Sequence, residues 1–145
     1  MSQELPHHYL VGADASSEGT VSVNSEGLQS LATTSPPQFG GPEGYWSPET
    51  MLVASVANCF ILTFRAIARA SKVDWSDVQC HTEGTLERID RVTRFTEFHL
   101  KANVTVQPGT AEEKVLRLMH KSEQNCLVTR SLNAEVHLDA TVQIA

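Results

Sequence analysis

The 145 residues and 15.9 kDa of this chain suffice for one domain with a hydrophobic core but not for two of full size, which excludes a large enzyme. A composition of 41% hydrophobic and 19% charged residues, with only 8 Gly and 6 Pro, excludes a disordered or collagen-like chain. The net charge of -6 falls wholly on residues 1 to 64, which hold no Lys or Arg, so no basic block is available for nucleic acid or anionic lipid, and small or hydrophobic partners fit better.

The amino terminus shows neither the basic start nor the apolar run of a secretory signal, so the cytoplasm is the expected location. Short apolar pieces at His8 to Val11, Thr20 to Val23 and Leu28 to Ala32, punctuated by Ser, Asn and Gly, predict short strands joined by turns. Ser35 to Pro48 is too rich in Pro and Gly for regular structure. Its aromatics Phe39, Tyr45 and Trp46 are costly to leave in water, which predicts an ordered loop that shapes a pocket.

Ser47-Pro48-Glu49 is a helix start, with a capping hydroxyl, a Pro that needs no amide partner and an acid at the positive end of the dipole. Met51 to Ile67 is apolar on most faces, predicting a buried central helix covered nearly all round, in part by another subunit. Its uncharged run from Thr50 to Phe64 is 15 residues long, too short to span a bilayer. Ser76 to Arg88 and Thr93 to Val106 predict a long hairpin turning at Asp90-Arg91, with Phe98, Leu100, Ala102, Val104 and Val106 on one face.

After Pro108-Gly109, Thr110 and Glu113 form a capping-box signal for a helix running to about Gln124. Val136, Leu138, Ala140, Val142 and Ile144 then share one face of a last strand. This order predicts a single α+β domain over residues 1 to 145, with largely antiparallel sheet. No nucleotide-binding glycine fingerprint, HExxH zinc motif or GxSxG elbow is present, and the six dispersed histidines show no ligand spacing, so no metal is expected.

Three cysteines with no CxxC spacing argue against a disulfide scaffold or a zinc ribbon. Two readings of Cys59 and Cys126 stay open on the residues alone. In one, both are packing residues, because free cysteine is often buried. In the other, Cys59 is a nucleophile toward a peroxide oxygen and Cys126 resolves its sulfenic acid, which requires a lowered Cys59 pKa and sulfurs able to meet. Cys80, in a predicted strand, is read as structural.

The segments FGGPEGYWSPETMLVASVANCF and SEQNCLVTRSL, with the hairpin between them, resemble the OsmC/Ohr superfamily of thiol peroxidases, in particular its OsmC-like branch. The resemblance covers nearly the whole chain. It implies an intertwined homodimer with paired central helices and active sites at the subunit interface. It further implies reduction of organic hydroperoxides without haem or metal, with a dithiol or a lipoylated protein as external reductant.

On that pattern Cys59 is peroxidatic, Cys126 is resolving and Glu49 orients a catalytic arginine, while Phe39, Tyr45, Trp46 and Phe60 form an apolar peroxide pocket. Ten residues of straight helix span about 15 Å, so Glu49 acts on Cys59 only through another group or across a dimer. Two departures stand out. The family's arginine before Pro-Glu is replaced by Gln38-Phe39, leaving Arg65, Arg88, Arg91, Arg94 or Arg130 to supply the charge or else a less activated thiolate. Leu127 stands where the family has Pro after the resolving cysteine. The alternative function is a weakly catalytic or non-catalytic dimer that binds a small hydrophobic ligand or senses redox state.

Overall fold

A computed structural model describes residues 3–145, which fall into two compact units divided between Met51 and Leu52. The first unit holds an antiparallel sheet of β1 (Gly12–Asp14), β2 (Val21–Asn24) and β3 (Leu31–Thr33) in that order. The first strand begins later than the expected His8 to Val11, because only Gly12 to Asp14 find partners on β2. Leu28 likewise belongs to a turn, its amide donating to the Ser25 carbonyl, so β3 starts at Leu31. The Pro/Gly-rich segment is irregular except for a 3₁₀ turn at Pro37–Phe39. Its three aromatics Phe39, Tyr45 and Trp46 are 60%, 49% and 48% exposed among the described residues.

Helix α1 (Pro48–Ala70) starts as its sequence requires. The Thr50 amide donates to Ser47 Oγ at 3.1 Å and the Ser47 amide donates to Thr50 Oγ1 at 2.8 Å, a reciprocal cap with Thr in the usual place of Glu or Gln. At 23 residues, α1 is longer than its uncharged run, and by length and composition alone it is sufficient to cross a membrane. In the second unit, however, Val56, Phe60, Phe64 and Ala68 form a fully buried stripe at four-residue spacing that packs into the core. The expected all-round cover is not found among the described residues, where Leu62 is 51% exposed.

The core faces a three-stranded sheet of β4 (Asp77–Ile89), β5 (Val92–Val106) and β6 (Glu135–Ile144). Phe98, Leu100, Ala102, Val104 and Val106 are all buried, as their alternation predicts. The β4–β5 turn is the expected Asp90-Arg91, both with positive φ (50° and 69°), as a two-residue type I′ connection requires. β6 pairs with β5 in parallel, so this sheet is mixed. The parallel return is possible because α2 (Glu112–Gln124) and α3 (Leu127–Arg130) form the crossover.

The expected Thr110 cap of α2 does not form. The Thr110 amide closes the Pro108-Gly109 turn onto the Gln107 carbonyl, and extended Ala111 precedes the helix without a side-chain cap. Gly84 on β4 lies directly against Val53 of α1 and leaves no room for a side chain. A Cβ there would lie 2.7 Å from Val53 Cγ2 and 3.0 Å from Phe95 Cε1. G84A is therefore expected to destabilise the fold by about 1 to 3 kcal/mol in chemical denaturation, the usual cost of overpacking.

Candidate active site

Cys59 lies one residue before Phe60, so the helix turn that buries Phe60 rotates Cys59 about 100° out of the core. The half-buried thiol opens on a cleft of about 640 Å³ whose walls include Leu62, Ile67, Leu127 and Val128. Phe60 does not line this cleft; it is a fully buried core residue, which corrects its assignment to the pocket. Phe39, Tyr45 and Trp46 belong to the first unit. Glu49 occupies the first turn of α1, with its Oε1 buried and without a hydrogen-bond partner among the described residues.

Cys126 is buried at the corner between α2 and α3, and the structure brings it to Cys59 from the other side of the crossover. Both thiols are free. Burial pushes the Cys59 pKa up, but it is outweighed by hydrogen bonds from the Cys126 thiol, the Val128 amide, the Thr63 hydroxyl and the Leu127 amide, so Cys59 sits below its ordinary value. Thr63 is one helical turn after Cys59, with its Oγ1 3.8 Å from Sγ. Leu127 and Val128 are the first residues of α3, and the first amides of a helix have no partner within it, which frees them for the sulfur.

Cys126 moves the opposite way. Burial and its hydrogen bond to Cys59 raise its pKa, against weaker opposing bonds from Thr129, so its thiol keeps its proton while Cys59 ionises. Cys80 is also raised, first by burial, and packs against the core on β4 outside the cleft.

The sequence did not single out Thr63, the two α3 amides, Lys121 or Asn125. The four-residue step from Cys59 to Thr63 was readable, whereas the others depend on how the crossover returns. Among the described residues, Lys121 is the one cationic residue lining the cleft, and none of Arg65, Arg88, Arg91, Arg94 or Arg130 does so. Leu127 has a further consequence: a Pro at this position would carry no amide, so the residue that departs from the family pattern contributes a donor to the thiolate.

Residues 40–141 match the family model for OsmC-like protein. The uncharacterised protein YmaD of Bacillus subtilis (strain 168) is 24% identical over 144 residues, covering 95% of this chain and 96% of its own. Among solved structures, an OsmC-like protein from Vibrio cholerae superimposes with a TM-score of 0.83 at 18% identity, covering 93% of this chain and 99% of that one. An organic hydroperoxide resistance protein OsmC from Legionella pneumophila gives 0.75 at 23% identity, with 97% and 99% covered.

Two reactivity experiments follow from the donor set. Alkylation of Cys59 by iodoacetamide, followed by peptide mass spectrometry, is expected to reach half its plateau rate below the pH of free cysteine, about 8.5. Because the lowered pKa favours the thiolate, the rate rises with pH through that midpoint and then levels, while Cys126 reacts only at higher pH. L127P removes one donor at a helix position that tolerates Pro, and is expected to move the Cys59 midpoint upward without loss of fold. An unchanged midpoint would remove the Leu127 amide from the site.

Proposed function

This chain belongs to the OsmC-like protein family, and we propose that it is a thiol peroxidase that reduces organic hydroperoxides to alcohols. The observation that carries this reading is the pairing of an acidified, accessible Cys59 with a protonated Cys126 beside an apolar cleft. The Cys59 thiolate attacks a peroxide oxygen, the O–O bond breaks, and the alkoxide takes a proton and leaves as the alcohol. Cys126 then attacks the sulfenic sulfur, a disulfide forms, and the hydroxide leaves with the Cys126 proton as water. A dithiol or a lipoylated protein reduces the disulfide by thiol exchange. No metal or haem takes part.

The active form is a homodimer built around α1, and its place of work is the cytoplasm. The half-exposed Leu62 and the uncovered Phe39, Tyr45 and Trp46 support the dimer, since a second copy removes such surface from water. Glu49 is assigned the positioning role. A buried carboxylate oxygen without a donor is unfavourable, which supports its pairing with a cationic side chain of the second copy. Lys121 takes over the charge that the family's arginine supplies, as an ammonium without the planar guanidinium fork.

Stopped-flow consumption of cumene hydroperoxide and of hydrogen peroxide by the reduced protein tests the reading. Burial of two methylenes is worth about 1.6 kcal/mol, so the organic peroxide is expected to react at least about tenfold faster. C59S is expected to abolish consumption, and C126S to leave one turnover without a disulfide. Reaction no faster than that of a free thiol would overturn the peroxidase reading. In that case a non-catalytic dimer that binds a small hydrophobic ligand or senses redox state would remain, a reading favoured by the absence of any Lys or Arg before Arg65.

A further inference from the structure

The outer face of the β4–β5–β6 sheet carries a cluster that the thiol chemistry does not use. Parallel pairing sets Glu97 opposite Glu135 and His99 opposite His137. Side chains alternate along a strand, so these residues and Asp139 share the face turned away from Phe98, Leu100, Val136 and Leu138. Two carboxylates directly opposite one another repel. Between them stands the His137 imidazole, whose Nε2 lies 3.9 Å from Glu97 Oε2 and 3.6 Å from Glu135 Oε2.

One ligand atom from each of the three lies within 4.8 Å of the other two. An ion with bonds of about 2.0 to 2.2 Å holds neighbouring ligand atoms roughly 3.3 to 3.6 Å apart, so a small movement of exposed Glu side chains closes the set. His137 is also held laterally. Its ring lies 6.1 Å from that of His99, which is fixed in turn by a 2.8 Å hydrogen bond between Nε2 and Asp139 Oδ2.

We propose that Glu97, Glu135 and His137 form a binding site for a divalent transition-metal ion of the zinc class. Imidazole with carboxylates suits zinc and its late first-row neighbours, whereas magnesium and calcium call for all-oxygen sites. The three side chains are about half exposed or more, at 45%, 78% and 50% for Glu97, Glu135 and His137, so the ion exchanges freely and keeps water in its open positions. It neutralises the facing carboxylates and ties β6 to β5 across the crossover.

Calorimetric titration of Zn²⁺ into the full chain tests the site, with C59S/C126S as background because thiolates also bind zinc. One equivalent is expected to bind. H137A and E135Q should each weaken binding by at least about tenfold, while H81A, altered on the same face outside the cluster, leaves it unchanged. Zn²⁺ should also raise the melting temperature of the background protein and not that of H137A. Absence of binding at millimolar zinc, or equal affinity in H137A and the background, would overturn the proposal.

Discussion

The packing of Val56, Phe60, Phe64 and Ala68 against the second sheet fixes the rotation of α1, and with it everything at the thiol. Once these four face the core, Ser55, Cys59, Leu62, Thr63, Ala66 and Ile67 form the neighbouring stripe and line the cleft. A helix rotated by one residue would bury the sulfur and expose an aromatic ring. The opening of Cys59 onto the cleft thus depends on the hydrophobic register of its own helix.

The crossover supplies the second half of the site. A parallel β5–β6 pair obliges the chain to return along the sheet, and the return is short enough that α2 ends and α3 begins over Cys59. A buried Cys126, two free amides and Lys121 all arrive with that corner. The result is a division of labour between identical thiols. Donors gathered on Cys59 stabilise its anion, while burial and the hydrogen bond to Cys59 favour the protonated form of Cys126. The chain lacks a basic residue before Arg65, and backbone amides are among the donors that lower the Cys59 pKa.

The local signals in the sequence proved sound where the interaction was itself local. The Ser47 cap, the Asp90-Arg91 turn and the inward alternation of β5 each involve neighbours in sequence or one hairpin, and all three occur. Signals that depend on a distant partner failed or stayed silent. His8 to Val11 has strand composition without a strand partner, and Phe60 looked like pocket lining but is core, whereas the Thr110 cap is a local signal that failed because the adjacent Gln107–Thr110 turn took its amide. Glu97, Glu135 and His137 could not be grouped by spacing, because only the parallel register places them together. The same holds for the Leu127 amide, whose role depends on where α3 begins.

The division of roles between the thiols can be tested most directly by trapping the first oxidised species. C126S treated with one equivalent of cumene hydroperoxide and then a dimedone probe, digested and mapped by mass spectrometry, is expected to carry the adduct on Cys59, with Cys80 unmodified. An adduct on Cys80, or none on any thiol while the peroxide is consumed, would contradict Cys59 as the attacking sulfur.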